Sequence, residues 1–281
     1  MSGLIQAVLV LYKQTISESK TARSLSAALA HSPELRLDIR TIFYDNSPES
    51  EITSPGGLAL EDEYIRDTHN GGLAAAYSYG LQRAKASGCE WLLLLDQDSS
   101  LSEEFLRELV DAIEANKDER LGVIAPRLIR RGELLSPKRP QVSITEPFRH
   151  RAEGRPMTIL NSCACIRLSA LEAIGGFPRE YWLDFLDHIV FYRLQTRGWK
   201  LKTLEIEIEH ELSIKNFAKE MSLERYKNVL DAEMRFVNET VPFVRRLSHR
   251  LLLIARSFGL VITIPDKRFA RATLHRAISR E

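Results

Sequence analysis

Two aspartates lie two residues apart directly after an apolar run in WLLLLDQDSS, residues 91–100. On an extended chain, the side chains of Asp96 and Asp98 point the same way. Two carboxylates so close repel one another unless a positive charge lies between them. Mg²⁺ and Mn²⁺ prefer oxygen ligands and often bridge phosphates. The pair is therefore typical of a divalent-cation site, although a polar strand-to-helix turn would give the same spacing.

A second polar segment, YDNSPES, follows an earlier predicted strand at residues 44–50. Asp45 and Asn46 lie where a nucleobase or ribose could donate hydrogen bonds to them. Asx turns favour the same residue types, so a local structural role explains the segment as well. Tyr12, at the end of the first predicted strand, is assigned with them to donor binding.

Two glycines open the segment HNGGLAAAYSYG, residues 69–80. Glycines at a helix N-terminus let the backbone approach a phosphate or a sugar, and Asn70 beside them is a further candidate donor-binding residue. Tight packing of the helix on the sheet would require the same small residues. The spacing differs from the dinucleotide-binding and phosphate-loop motifs, which argues against those enzymes.

Two more aspartates occur in the aromatic segment GGFPREYWLDFLDH, residues 175–188. On a predicted helix, Asp184 and Asp187 would share a face because they are three residues apart. Acids near a helix start are also favourable against the helix dipole, whatever their function. Partial burial among the neighbouring aromatic side chains would raise the pKa of a carboxylate towards that of a general base.

A single histidine, His210, lies in the segment EIEIEHELS. An isolated histidine is more often structural than a ligand. A neutral imidazole would nevertheless complete the coordination of a cation held by Asp98.

The elements that must position these residues alternate along the chain. Apolar or alternating runs predict strands, and amphipathic runs with capping residues predict helices. Strands are predicted at 7–12, 35–47, 63–68, 91–95 and 121–129, a strand with a short helix within 158–178, a returning strand from 202, and helices at 17–31, 70–88, 102–116 and 181–202. This order indicates an α/β fold with a mainly parallel central sheet flanked by helices. Ligands bind beyond the carboxyl ends of such strands.

Loops and tails are predicted from composition. Pro48 with Pro55-Gly56-Gly57 marks one loop, and residues 130–156, rich in Arg, Pro and Glu, predict an exposed one. Two or three helices are expected after residue 212. The start, MSGLIQAVLVLYK, is typical of a first strand and not of a signal peptide.

Bulk composition is that of a globular protein of 281 residues, with 44% apolar and 27% charged residues. The formal net charge of +1 predicts no nucleic-acid partner. Three cysteines, expected to be buried thiols, favour a reducing compartment. Residues 241–281 carry nine Lys/Arg and two Asp/Glu, a net charge of 9 − 2 = +7. Their apolar stretch LLLIARSFGLVITI is too short to span a membrane and is expected to lie on an anionic membrane surface or to pack on the catalytic domain.

The segments taken in order resemble a family-2 glycosyltransferase with the GT-A fold over roughly residues 5–212. The resemblance rests on YDNS, NGGLAAAYSYG, LLLLDQDSS, GGFPREYWLDFLDHIVFYRLQTRG and EHE in this order. LDQDS and LDFLD look most like the rhamnosyltransferase-like branch, whose members use a dTDP-activated deoxysugar. This implies a catalytic domain at residues 1–212 and a helical appendage at 213–281.

The resemblance also implies roles for individual residues. Asp45 would bind the nucleoside, and Asp96 the ribose or sugar side of the donor. Asp98 would hold the metal on the diphosphate, with His210 as a late metal-site histidine. Asp187 matches the family's base. The chain departs from the family at Leu186, at Tyr79 and in the CAC stretch of residues 163–165, which bears on the acceptor more than on the reaction class.

The predicted function is a divalent-cation-dependent (Mg²⁺ or Mn²⁺) inverting transfer from a nucleotide-diphosphate sugar, with dTDP-rhamnose as one candidate donor. The predicted acceptor is a bacterial cell-surface saccharide or a lipid-linked precursor, and the predicted location is the cytoplasm, at the inner face of the plasma membrane. One alternative is a hexosyl- or N-acetylhexosaminyltransferase on the same fold. Another is a catalytically silent, saccharide-binding domain.

Overall fold

The computed structural model describes residues 4–47, 62–138, 156–210 and 221–279. The first three ranges belong to one compact unit and the last to another. The loop expected around Pro48 and Pro55–Gly57 lies outside the described residues, and so does most of the loop expected at 130–156. The proposed domain boundary between residues 212 and 213 also lies outside them and stays a prediction.

Within the described residues of the first unit, eight strands form one sheet: β1 Ile5–Leu11, β2 Ile39–Asp45, β3 Glu63–Arg66, β4 Trp91–Asp96, β5 Leu121–Arg130, β6 Glu133–Ser136, β7 Cys165–Arg167 and β8 Lys200–Glu209. The strand order is β3-β2-β1-β4-β7-β5-β6, and β8 pairs with β5. The pairings of β3, β2, β1 and β4 and that of β5 with β8 are parallel. Strands β6 and β7 run antiparallel to their neighbours. The structure confirms the α/β class and the mostly parallel sheet.

The described part of this unit contains six α-helices: α1 Lys20–His31, α2 Leu35–Asp38, α3 Gly72–Ala86, α4 Glu103–Glu114, α5 Leu168–Ile174 and α6 Leu186–Thr196. Serines cap α1 and α4, because Ser19 and Ser102 each accept a hydrogen bond from a backbone N–H three residues further on. Helix α3 packs closely on the sheet at Gly80, where a Cβ atom would lie 2.1 Å from Cγ2 of Val8. Tight packing of the helix on the sheet therefore explains the glycine at position 80.

The centre of the sheet explains the long apolar runs. Strands β1 and β4 are buried almost throughout because side chains on both of their faces are covered. Leu92 lies towards α3, whereas Leu93 and Leu95 share a core cluster with Phe105 of α4.

Parallel register brings the polar strand ends together. Leu11 of β1 lies beside Asp45 of β2, and Val10 lies beside Asp96 of β4. The two aspartates therefore lie at the carboxyl ends of their strands, on either side of β1.

Three sequence predictions are wrong in detail. Residues 35–38 form one helical turn and not the start of a strand, because pairing with β1 begins only at Ile39 opposite Ile5. The expected loop at 130–156 contains strand β6, which forms a hairpin with β5. A left-handed turn at Arg131 and Gly132, with φ of 50° and 79°, reverses the chain there.

The third error concerns the helix expected at 181–202. Helix α6 begins at Leu186, because Phe185 before it has a left-handed backbone with φ of 62°. Asp184 therefore precedes the helix and does not share a helical face with Asp187. A short 3₁₀ turn, Arg179–Tyr181, leads into this segment.

The second unit is helical, with α7 Leu223–Thr240, α8 Phe243–Thr263 and α9 Arg268–Ile278. Its core includes Leu230, Leu253 and Phe269. Among the helices of the described residues, none is both long and apolar enough to cross a bilayer.

Candidate active site

Asp96, Asp98 and His210 come together at the end of β4. One ligand atom from each lies within 4.8 Å of the others, in a group that could hold a metal ion. Nδ1 of His210 lies 3.7 Å from Oδ1 of Asp98. His210 follows β8 and forms an isolated antiparallel bridge with Ser99, which brings a residue distant in sequence to the two acids. Two carboxylates and one imidazole form a donor set that suits Mn²⁺ or Mg²⁺.

Two serine hydroxyls orient this group. Oγ of Ser99 lies 3.1 Å from Nδ1 of His210. The Ser162 hydroxyl donates a hydrogen bond to Oδ2 of Asp96 and lies 3.5 Å from Nε2 of His210. Such outer contacts fix the rotamers of ligating side chains. Ser162 was not predicted from the sequence, where its only signal is a small polar residue just before β7.

The turn between the two acids is held from the start of α1. Ser19 Oγ donates to the Gln97 carbonyl over 3.0 Å. Thr21 Oγ1 donates to the Ser99 carbonyl over 3.0 Å and accepts from the Ser99 N–H over 2.9 Å. The side-chain oxygen of Gln97 accepts a hydrogen bond from the backbone N–H of Tyr12 over 2.8 Å. Tyr12 is 43% exposed beside this turn, and Nζ of Lys13 lies 5.3 Å from the centroid of its ring.

Asp45 is fully buried at the end of β2. Its Oδ1 accepts a hydrogen bond from the Ser47 N–H over 2.8 Å, which is the Asx turn anticipated as an alternative. Its Oδ2 accepts from the Tyr64 hydroxyl over 2.7 Å. Burial, followed by this hydrogen bond, raises the pKa of Tyr64 to about 12. Oδ1 of Asn46 is buried without a hydrogen-bond partner among the described residues.

Asp67, which was not predicted from the sequence, anchors the glycine segment. Its carboxylate accepts hydrogen bonds from the Tyr44 hydroxyl over 3.0 Å and from the N–H groups of His69 and Gly71 over 3.0 and 2.9 Å. Burial works to raise its pKa, but these hydrogen bonds lower it below the ordinary value. Asn70 between them has a left-handed backbone with φ of 51°.

The first turn of α3 contacts the aromatic segment directly. Gly72 has φ of 72°, and a Cβ atom there would lie 2.2 Å from the carbonyl oxygen of Trp182. The same carbonyl accepts a hydrogen bond from the Ala74 N–H over 3.0 Å. Only glycine fits at position 72, and the segment that carries Asp184 is thereby fixed to α3.

Asp187 lies in the first turn of α6 with a side chain 17% exposed. Its Oδ1 accepts from the backbone N–H of His188 over 2.8 Å and lies 2.7 Å from Nδ1 of the same residue. Burial works to lower the pKa of His188, but the hydrogen bond and the charge of Asp187 raise it above the ordinary value. The imidazolium is thus favoured next to the candidate base.

Tyr77 connects the two acidic clusters. Its hydroxyl donates to Oδ1 of Asp96 over 3.2 Å. Burial first, then the charges of Asp96 and, more weakly, of Asp187 raise its pKa well above the ordinary value. The ring packs on Phe177 with a centroid separation of 5.4 Å. A neutral phenol donor therefore lies within electrostatic reach of both aspartates.

The three cysteines are free, buried thiols, as expected. Cys163 has φ of 61°, and its N–H donates to the Leu94 carbonyl over 2.8 Å. Burial, followed by the charges of Asp96 and Asp98, raises the pKa of the Cys163 thiol despite a hydrogen bond with Ser99. The Cys163 thiol is therefore favoured over the thiolate, and the segment brings Ser162 beside Asp96.

A mostly parallel sheet of this order, flanked by helices and with paired acids at the carboxyl end of β4, has a GT-A-like α/β fold. The family model described as "Glycosyl transferase family 2" matches residues 22–175, and the chain belongs to this family. The matched range contains Asp45, Asp96 and Asp98. It does not contain Asp187 or His210. The roles of all five residues stay predictions.

Two plant proteins are similar over 154 residues, 53% of this chain. Glucomannan 4-beta-mannosyltransferase 2 of Arabidopsis thaliana is 27% identical, and glucomannan 4-beta-mannosyltransferase 1 of Oryza sativa subsp. japonica is 24% identical. The match spans only 28% and 29% of those proteins.

The crystal structure of S. aureus TarS 1-349 superposes with a TM-score of 0.52 at 12% identity, over 97% of this chain and 88% of that one. This likeness supports the GT-A-like fold.

Proposed function

We propose that the protein is a divalent-cation-dependent inverting glycosyltransferase that uses a nucleotide-diphosphate sugar. The observation that carries the proposal is the group of Asp96, Asp98 and His210 at the carboxyl edge of the sheet. Asp45 leaves the same edge on the other side of β1. A donor whose nucleoside lies at Asp45 would extend its diphosphate towards the acidic pair.

The chemistry divides between two groups of residues. Asp98 and His210 would hold Mg²⁺ or Mn²⁺, which when bound supplies positive charge against the leaving diphosphate. Asp96, held by Tyr77 and Ser162, would contact the ribose or the sugar side of the donor. Tyr12, Asn46 and Asn70 complete the proposed donor-binding set.

Asp187 would act as the general base. It takes the proton of the acceptor hydroxyl while that oxygen bonds to the anomeric carbon, and the bond from this carbon to the diphosphate oxygen breaks with inversion. The His188 imidazolium would hold the Asp187 carboxylate in place during the attack. Asp184, fixed through the Trp182 segment to α3, would orient the acceptor.

The donor and acceptor are proposed at a finer level. The segments LDQDS and LDFLD support a deoxysugar such as rhamnose carried on dTDP, with a bacterial cell-surface saccharide or lipid-linked precursor as acceptor. We place the reaction in the cytoplasm, at the inner face of the plasma membrane. The similarity to two mannosyltransferases supports the alternative of a hexosyl donor. A catalytically silent saccharide-binding domain is the remaining alternative. Such a domain would not need the metal-site acids, so their presence argues against it.

Donor hydrolysis and thermal shift test this proposal together. The purified chain is mixed with nucleotide diphosphates and nucleotide-sugars, with Mn²⁺, with Mg²⁺ or with excess EDTA. A ligand that binds only the folded state raises the Tm by mass action. We expect a metal-dependent shift with one nucleotide and slow hydrolysis of its sugar conjugate.

Asp98→Ala should abolish the metal-dependent shift and nearly all hydrolysis while the fold survives, because the site lies at a strand end. The matched control is Asp111→Ala, a change at an exposed carboxylate on α4. Full activity of Asp98→Ala, or of the unchanged chain in EDTA, contradicts the metal role. Nucleotide binding without hydrolysis or transfer favours the silent domain.

A further inference from the structure

Helix α8 carries a stripe of exposed apolar side chains. Their exposed fractions run from 47% at Val261 to 85% at Ile262. The members are Phe243, Val244, Leu247, Leu251, Phe258, Val261 and Ile262. With 3.6 residues per turn they fall within an arc of about 100° along the helix. Ile254 also falls in this arc, and no charged residue of α8 does.

The opposite face of α8 already has its packing partners. Leu253 and Ser257 are buried in the helical unit. Arg256 forms a bidentate ion pair with Glu233 of α7 over 2.7 and 2.8 Å. Arg250 donates to the carbonyl oxygen of Ala277 on α9 over 3.0 Å. The exposed stripe is therefore not required to close the core of this unit.

The helical unit is strongly basic. Residues 221–279 contain eleven Lys/Arg and five Asp/Glu, a net charge of 11 − 5 = +6, against +1 for the whole chain. Helices α7 and α9 also line a cavity of about 600 Å³. Its charged and titratable lining residues are Lys227, Asp231, Arg268, Arg271, His275 and Arg276.

We propose that the apolar stripe of α8 docks on the surface of an anionic lipid bilayer, with the helix axis in the plane of the interface. A helix of 21 residues with one fully apolar face can bury that face at the boundary of headgroups and acyl chains without crossing. Anionic headgroups neutralise the basic unit, each nearby cation contributing to the attraction. A second copy would instead bring two units of +6 together.

Vesicle flotation of the full chain tests this proposal without any sugar donor. The probes are phosphatidylcholine vesicles and vesicles that also contain phosphatidylglycerol. We expect flotation with the anionic vesicles, weaker flotation with the neutral ones, and release as the salt concentration rises. Because no donor is present, the result is independent of the proposed transferase activity.

The double variant Leu247→Gln/Leu251→Gln keeps side-chain length and helix propensity but removes apolar area from the stripe. We expect its partition coefficient to fall on the order of tenfold or more. Leu37→Gln is the matched control, a change at a leucine 62% exposed in the other unit, and should float as the unchanged chain does. Circular dichroism establishes that both variants fold like the unchanged chain.

Three outcomes overturn the proposal. The first is equal flotation of the double variant and the unchanged chain, and the second is no flotation of the unchanged chain. The third is a dimer in analytical ultracentrifugation that becomes a monomer in the double variant, which would assign the stripe to a second copy of the chain. A further variant, Arg245→Gln, tests the contribution of charge and should weaken binding only to the anionic vesicles.

Discussion

The hydroxyl of Tyr77 donates a hydrogen bond to Oδ1 of Asp96 over 3.2 Å and so ties helix α3 to the end of β4. Tyr77 is fully buried, and its pKa is raised well above the ordinary value, first by burial and then by Asp96. The phenol therefore remains a donor at physiological pH. Oδ2 of Asp96 accepts from Ser162, so both oxygens of this carboxylate are oriented by neighbours.

We expect Tyr77→Phe to weaken the affinity for metal and nucleotide by about tenfold to a hundredfold, as loss of an orienting hydrogen bond typically does. The ring and its packing on Phe177 are kept, so the fold should persist. Calorimetry with Mn²⁺ and the nucleotide diphosphate measures the effect. Tyr226→Phe removes another buried hydroxyl, 2.7 Å from Thr273, in the other unit and should leave both affinities unchanged. Equal affinities in Tyr77→Phe and the unchanged chain would show that Asp96 needs no such support.

The general-base assignment predicts different kinetics for two neighbouring aspartates. Asp187→Asn should lower kcat on the order of 10²–10⁴ because the acceptor proton loses its receiver. Donor affinity should stay near normal, since the metal and nucleoside residues are untouched. Asp184→Asn should mainly raise the KM for the acceptor. The assignment is reversed if Asp184→Asn abolishes kcat and Asp187→Asn does not.

The pairing of His188 with Asp187 predicts a pH dependence of stability. The pKa of His188 is raised in the folded state, because the hydrogen bond and the charge of Asp187 outweigh the opposing effect of burial. The stabilisation is therefore fully present below the ordinary value of 6.5 and is lost as the pH rises through the folded-state pKa. The Tm difference between the unchanged chain and His188→Asn should be largest in mild acid and shrink towards alkaline pH.

A histidine on the surface provides the control for that experiment. The side chain of His69 is 96% exposed, so His69→Asn should show little pH-dependent change in Tm. A Tm difference that is constant with pH, or that grows at alkaline pH, would contradict stabilisation by the pair of His188 and Asp187. A kcat profile recorded alongside should also change shape in His188→Asn, which a purely structural role would not produce.

The lowered pKa of Glu233 predicts the opposite pH dependence of stability in the helical unit. Burial opposes its ionisation, but the contact of its carboxylate with the His249 ring and the hydrogen bonds from Arg256 lower its pKa to about 2. The stabilisation is therefore present above the ordinary value of 4.5 and is lost as the pH falls through about 2. Glu233→Gln should destabilise the unit by roughly 1–3 kcal/mol at neutral pH, because Arg256 loses its partner while remaining partly exposed.

Urea unfolding followed at several pH values measures this effect. The difference between Glu233→Gln and the unchanged chain should narrow below pH 4.5. The exposed Glu224→Gln is the control and should change the free energy of unfolding by less than roughly 0.5 kcal/mol. A difference that persists unchanged in acid would mean that packing, and not charge, accounts for the loss.

The sequence by itself determined the class of fold and the edge of the sheet at which the acids lie. Apolar runs such as Trp91–Leu95 are local signals, and a carboxylate directly after such a run must fall at a strand end. The spacing of Asp96 and Asp98 was typical of a cation site or of a polar turn, and it could not place the distant His210 beside them. Periodicity could decide the strand ends because each depends on residues close together in the chain.

Tertiary structure alone decided which side chains support the site. Ser162 meets Asp96 across 66 residues only because β7 pairs with β4, and Tyr77 meets Asp96 only because Gly80 lets α3 lie close to the sheet. Asp184 lies outside the helix in which it was predicted, because Phe185 adopts a left-handed backbone. That conformation is uncommon for a bulky residue, so propensity does not predict it. Contacts between distant segments depend on strand register and on packing distance, and local composition determines neither quantity.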